Sequence, residues 1–333
     1  MGGWGRWWAK RMLTQVPEIE LAGCVDTDPR ALALAVEQLG VPAERCYPSL
    51  EAGLAAVDVD AVLVATTLAS HVPVVRTALE AGRHVLVEKP FAPTLAEAGE
   101  LVALAESRGL ALMVSQNYRF YPAVRAVAEL VRSGELGPPH LVEIDFRHRS
   151  TVPETDGRRG HRLLTHPLLM DMSIHHFDLL RMLLGMDADW IRCQAWNPHW
   201  SGFEGPPVAL ATLRFGDVMV GYRGRWGTWA PDTPWTGEWR MTFEHGEATW
   251  SSRDMAGGRG AERVTVWTGT GEPRELALPE MPLVDQAGSL SEFAAAVAAG
   301  REPQSSGREN LGSLALALAA VESSERDGEL VRL

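Results

Sequence analysis

The chain has 333 residues, 46% of them hydrophobic, with 31 Lys+Arg against 43 Asp+Glu and a formal net charge of −12. That length suggests two domains with sizeable cores, and the acidic balance argues against nucleic-acid or membrane-surface partners, which need clustered positive charge. No apolar run reaches the roughly 18 residues of a spanning helix, Met1 to Trp8 lacks the apolar core of a signal peptide, and the three scattered cysteines (Cys24, Cys46, Cys193) lack metal-ligand spacing. The expectation is a cytoplasmic protein with free thiols and no metal site.

The first third of the chain alternates strand and helix. A helix is expected from about Trp7 to Leu13, then a short apolar strand from Glu20 to Val25 that ends at Asp26. Helix Pro29–Leu39 follows, then strand Val59–Ala65, helix Val72–Ala81, and a strand from Val85 that runs into Glu88-Lys89-Pro90. Helix Thr94–Ser107 and strand Ala111–Ser115 complete the series. Apolar runs of strand length separated by helices of ten or more residues imply βαβ units and a buried parallel sheet. With right-handed crossovers, the natural result is a doubly wound nucleotide-binding domain.

Gly2 and Gly5 have the spacing of the last two glycines of G-x-G-x-x-G. Asp26 lies about twenty residues on, where a carboxylate accepts from the adenosine ribose hydroxyls and repels a 2′-phosphate. NAD is therefore expected over NADP; the alternative is that Asp26 only starts the turn through Asp26-Thr27-Asp28-Pro29. The fingerprint's first glycine and the first strand would precede Met1. We expect Met1 to be the internal "x" of G-x-G, with the native frame opening roughly ten codons upstream by the usual strand length; the alternative is a real truncation, which removes a central strand and exposes a sheet edge. Pro90 blocks a helix start and pushes Lys89 towards an extended backbone, at a strand end where open α/β sheets bind ligands.

The second domain begins near Tyr118, so the expected division is residues 1–118 and 119–333. Pro122 to Ser133 is an amphipathic helix closed by Gly134. Alternation at 140–148, 190–196, 209–215, 219–226, 239–244 and 263–268 predicts one large open antiparallel sheet. Helices at 286–299 and 309–323 are expected to pack on that domain. Asp171 and His175 stand at i and i+4, on one face of a helix. His176 is rotated about 100° from His175 and reads as packing; Asp178, one turn on, is expected to fix His175 or cap backbone. Arg147, His148, Arg149, Arg158, Arg159, His161, Arg162 and His166 form a basic stretch. Arg149 and His166 are its substrate candidates. Nine of the twelve tryptophans fall between Trp190 and Trp267; most are expected to fill the sheet face or an interface, with Trp226, Trp229 and Trp235 the candidates for stacking on a sugar ring.

Lys, Asp and His are the groups that hydride transfer from an alcohol requires. His175 is the candidate general base, since an imidazole as a side-chain type titrates near working pH. Lys89 can stabilise developing alkoxide charge, and Asp171 can orient a neighbouring hydroxyl.

These residues resemble the Gfo/Idh/MocA family of glucose–fructose oxidoreductase, inositol dehydrogenase and relatives. The resemblance runs through Gly2-Gly3-Trp4-Gly5, Ala65-Thr66-Thr67 with His71, Glu88-Lys89-Pro90, Gln116-Asn117-Tyr118-Arg119-Phe120, and Asp171-x-x-x-His175-x-x-Asp178. It implies an N-terminal Rossmann domain and a C-terminal α+β domain whose sheet often mediates dimers or tetramers. It implies a cofactor held by Gly2, Gly3, Trp4, Gly5, Asp26, Thr66, Thr67, His71, Glu88, Lys89 and Asn117. The implied activity is NAD(P)-dependent oxidation or reduction of a sugar, inositol or related polyol. Where the family often has Thr-Pro-Asn, this chain has Thr66-Thr67-Leu68, which removes one hydrogen-bonding side chain near the cofactor. Two alternatives stay open: glycoside cleavage through transient oxidation by tightly held NAD, and a non-catalytic nucleotide-binding paralogue.

Overall fold

The computed structural model describes residues 1–149, 164–252, 262–269 and 271–333. Arg158, Arg159, His161 and Arg162 of the basic stretch lie outside the described residues. The chain divides into two compact units, one formed by Met1–Asn117 with Leu283–Leu311, the other by Tyr118–Pro282 with Gly312–Leu333.

In the first unit the helix that opens the chain, α1 (Gly3–Trp7), continues as a π turn (Trp8–Met12) and a 3-10 turn (Leu13–Gln15). There follow β1 (Cys24–Val25), α2 (Pro29–Leu39), β2 (Cys46–Tyr47), α3 (Leu50–Ala56), β3 (Ala61–Val64), α4 (Leu68–Glu80), β4 (His84–Val87), α5 (Leu95–Ser107) and β5 (Leu112–Val114). Every pairing among these strands is parallel: β1 with β2, and β3–β4–β5 as a second ladder. Val85, Leu86, Val87, Met113 and Val114 are fully buried, as strands covered on both faces must be. Helix starts follow local chemistry. Asp28 caps α2 by accepting from the Arg30 N–H, with Pro29 at the first helical position. Thr94 caps α5: its hydroxyl oxygen accepts from the Glu97 N–H and its O–H donates to the Glu97 carboxylate.

One departure from the sequence reading concerns 283–311, expected in the second domain. Ser305 closes the free edge of β5: its carbonyl accepts from the Val114 N–H at 2.9 Å and its hydroxyl donates to the Val114 carbonyl at 2.6 Å. Helix Asp285–Ala299 packs on β4 and on the Trp8–Gln15 turns. An unpaired strand edge calls for cover, and the returning chain supplies it. A helical pattern alone does not say which sheet the helix covers.

The second unit contains α6 (Pro122–Ser133), β6 (Pro139–His148), a π turn (Leu168–Ser173) running into α7 (Ile174–Leu184), β7 (Trp190–Trp196), β8 (Val208–Phe215), β9 (Val218–Trp226), β10 (Glu238–Phe243), β11 (Gly246–Ser251), β12 (Arg263–Trp267), β13 (Arg274–Glu275) and β14 (Val331–Arg332). Among the described residues its strands form one nine-stranded sheet, ordered β13-β12-β11-β10-β6-β9-β8-β7-β14. The expected antiparallel sheet is in fact mixed, because β6 and β9 pair in parallel from Leu141↔Met219 to His148↔Trp226. Parallel neighbours need a crossover connection, and the chain between them includes α7. Period-2 alternation identifies strands but carries no pairing direction. Val142, Ile144, Phe146, Val220, Leu213 and Met241 form the covered face. Asp145, on β6 with its side chain on the other face, accepts from Arg225 at 2.9 Å and pairs with Arg147. Among the described residues no helix is long and apolar enough to cross a membrane.

Candidate active site

In the first unit, Gly2 precedes α1, and a methyl group placed on Gly2 or Gly3 would meet no atom within 4 Å. Packing inside the unit therefore does not demand glycine there. What the two glycines leave is bare backbone open to close approach, which is the use the dinucleotide fingerprint makes of them. At Gly5 the added carbon would touch only the Met1 sulfur, at 3.7 Å. Asp26 follows β1; its Oδ1 accepts from the Asp28 N–H at 2.9 Å and its Oδ2 is paired with the Met1 ammonium. Burial pulls the carboxyl's pKa up, but these hydrogen bonds outweigh it and hold the group below the usual range.

Thr66 and Thr67, between β3 and α4, are exposed. His71, buried on α4, has Nδ1 2.9 Å from the Pro90 carbonyl and Nε2 3.3 Å from the Thr66 carbonyl. Burial, the largest influence, lowers its pKa, and a neutral ring donates to only one of the two. Lys89 is half-buried just past β4.

Glu88 and Trp4 were both expected to face the cofactor. The structure turns their side chains on one another: Glu88 Oε1 accepts from the Trp4 and the Trp8 indole N–H, each at 2.7 Å. Burial pushes the Glu88 carboxyl up, opposed by Lys89 and both indoles. Asn117 likewise donates its side-chain N–H to Asp285. Trp8 was not singled out in the sequence; its i+4 spacing from Trp4 was the available signal.

In the second unit Asp171 lies in the π turn and His175 in the first turn of α7, so the i, i+4 spacing is not wound as a plain α-helix. Such π segments recur at functional sites. His175 is 5% exposed and stacks on Tyr118, ring centroids 4.2 Å apart. Asp178 binds Arg119: two hydrogen bonds of 2.6 and 2.7 Å join them, and Ser313 donates to Asp178 at 2.7 Å. His176 is buried as expected, with Nδ1 3.1 Å from the Tyr222 hydroxyl and Nε2 3.0 Å from the Trp235 carbonyl. Burial pushes its pKa down to about 4.

The substrate candidates fare differently. Arg149 pairs with Asp232, its backbone N–H donating at 2.7 Å. His166 Nε2 lies 3.0 Å from Glu325. Both side chains thus already face carboxylates. Trp226 is 6% exposed, with Phe203 at 5.6 Å and Trp235 at 6.4 Å. Trp235 in turn stacks on His148 at 3.7 Å. Trp229 is 87% exposed.

Residues 1–116 match the family model described as oxidoreductase family, NAD-binding Rossmann fold, and residues 124–249 match the GFO/IDH/MocA C-terminal domain. The chain belongs to the Gfo/Idh/MocA family. The D-apiose dehydrogenase of Paraburkholderia graminis is 30% identical over 94% of this chain and 83% of that protein. A 1,5-anhydro-D-fructose reductase of Ensifer adhaerens is 30% identical over 80% of this chain and 78% of its own length. The crystal structure of an aldose-aldose oxidoreductase from Caulobacter crescentus, complexed with glycerol, superposes with a TM-score of 0.82 at 25% identity, covering 98% of this chain and 97% of that one.

As a member of the Gfo/Idh/MocA family the chain carries an NAD-binding Rossmann domain and a C-terminal domain with a large mixed sheet, and it is an oxidoreductase. The residues present fit NAD. Bare glycine backbone stands at the opening turn, two exposed threonines follow β3, and a cation ends β4. The chain uses 29 arginines and only two lysines, Lys10 and Lys89.

Proposed function

We propose that the protein is an NAD-dependent dehydrogenase or reductase acting on a hydroxyl or keto carbon of a sugar or related polyol. The observation that carries this reading is Lys89. It is one of two lysines in the chain, and it stands at the end of a parallel strand in the NAD-binding unit. Dehydrogenases and reductases of sugars among the relatives support the substrate class.

NAD, held along Gly2–Gly5, Thr66 and Thr67, supplies the hydride acceptor when bound. In this reading His175 removes the hydroxyl proton in oxidation and returns it in reduction. The Lys89 ammonium hydrogen-bonds the same oxygen and stabilises alkoxide charge as it develops. Asp171 orients the substrate through a neighbouring hydroxyl. The stack of Tyr118 on His175 supports one ring orientation for the base. Arg149 and His166, each facing a carboxylate, do not favour an anionic substrate. Assembly as a homodimer or homotetramer through the sheet, in the cytoplasm, completes the reading.

The test is a panel of aldoses, anhydro-sugars, inositols and sugar acids with NAD+ and NADP+, followed by absorbance of the reduced nicotinamide. Turnover on one neutral sugar class with NAD+ is expected. Silence across the panel, with NAD released only by denaturation, would replace this reading with redox-neutral glycoside cleavage.

A further inference from the structure

Glu88 is anchored at both ends. Its backbone N–H donates to the Val64 carbonyl at 3.0 Å, prolonging the β3–β4 ladder by one residue. Its side chain reaches the opening helix, where Trp4 and Trp8 both donate to Oε1 at 2.7 Å. Indole has a donor and no acceptor, and a carboxylate has acceptors only, so the match is complementary. Trp8 is fully buried and Glu88 is 8% exposed; a buried carboxylate needs such donors to be tolerated. Trp4 belongs to the glycine turn itself, two residues past Gly2. Lys89 is the next residue after Glu88, and on its other side the Pro90 carbonyl faces His71.

We propose that Glu88, gripped by Trp4 and Trp8, is a positioning residue that fixes the glycine turn relative to Lys89, so that dinucleotide affinity and the setting of the Lys89 ammonium depend on the same two hydrogen bonds. The inference rests on NAD as cofactor and not on which sugar is turned over. Rigid tethering of two ligand-facing segments to one anchor holds them in place before the ligand arrives, which lowers the ordering cost of binding.

The chain's two lysines make the test direct. NADH affinity is measured by nicotinamide fluorescence, and Lys89 is acetylated in the cofactor-free protein with an N-hydroxysuccinimide ester. Mass spectrometry reads its labelling against exposed Lys10 as internal standard. Trp4→Phe/Trp8→Phe keeps the rings and removes both donors. Loss of two hydrogen bonds to a charged group should weaken NADH binding about ten- to a hundred-fold and shift the Lys89:Lys10 ratio severalfold. Glu88→Gln keeps an oxygen that accepts from both indoles and should hold NADH affinity within about threefold of wild type; its labelling ratio is not compared, because the substitution also removes a charge beside Lys89. Should the double variant fail to fold, Trp4→Phe alone, at a partly exposed ring, carries the test; about a threefold to tenfold loss of NADH affinity is expected from one such bond.

Folded variants with unchanged NADH affinity and an unchanged Lys89:Lys10 ratio would overturn the proposal. So would a loss of melting temperature with both readouts intact, which is what plain packing produces. If wild-type protein binds no NADH, the cofactor reading fails, and the labelling ratio still decides whether Glu88 sets Lys89.

Discussion

Removing the Asp178 carboxylate tests how the second unit supports its proposed base. Asp178 and Arg119 have side chains only 1% and 4% exposed and are joined by two hydrogen bonds of 2.6 and 2.7 Å. In Asp178→Ala the guanidinium stays buried beside an empty corner, and breaking a buried pair in this way costs about 3–5 kcal/mol. The Ser313 hydroxyl also loses its 2.7 Å acceptor, adding about 1 kcal/mol. Arg119→Met/Asp178→Leu removes both charges and should return to within about 2 kcal/mol of wild type, because the desolvation cost vanishes with the pair. Urea unfolding followed by tryptophan fluorescence measures both. Asp178→Ala should also lower turnover, since Arg119 adjoins Tyr118, whose ring lies on His175, while NADH affinity holds. A single variant that costs under about 1 kcal/mol, or a double variant that costs the sum of the singles, refutes the reasoning.

Lys89→Ala and His175→Ala should each reduce turnover by roughly 10²- to 10⁴-fold, with folding and NADH binding largely kept; steady-state kinetics on the true substrate checks this, and near-normal turnover removes that residue from the mechanism. His176, with its pKa depressed from 6.5 to about 4, is neutral when buried. Its unfolded form therefore binds a proton first as pH falls, and its contribution, whole above about 6.5, drains away towards pH 4 by roughly 3 kcal/mol. His176→Gln should flatten that part of the stability–pH curve; an unchanged slope in the variant assigns it to other groups. Gly224→Ala would set a carbon 2.8 Å from both the Leu168 side chain and the Tyr222 hydroxyl, an overpacking cost of about 1–3 kcal/mol readable as a lowered melting temperature.

The parallel unit was legible because its longer strands are apolar and alternate with helices, and Pro29–Leu39 emerges with the bounds its caps dictate. Short elements escaped: β2 is only Cys46–Tyr47, too brief for any periodicity, and α3 shows itself mainly through its Ser49 cap. Side-chain partners were the least legible layer. Nothing in the sequence says that the Glu88 carboxylate meets two indoles, or that Asp178 turns to Arg119. Such pairings depend on which elements become neighbours, whereas the spacing of Asp171 and His175 is local and survives even a change of helical winding.

The first unit owes its last pieces to chain that comes late. At a ribosome delivering about 5–20 residues per second, the strand after α5 emerges with a bare edge, and Ser305 follows roughly 190 residues and some ten to forty seconds later. Throughout that interval β5 and the outer side of β4 are without their final cover. The nucleotide-binding unit, although begun first, stays open while residues 118–282 of the other unit are made, and each unit receives its closing segment only at the end of synthesis, 283–311 and then 312–333. Cutting the chain after Asn117 would remove no strand from that parallel ladder, but it would leave permanent what synthesis leaves briefly.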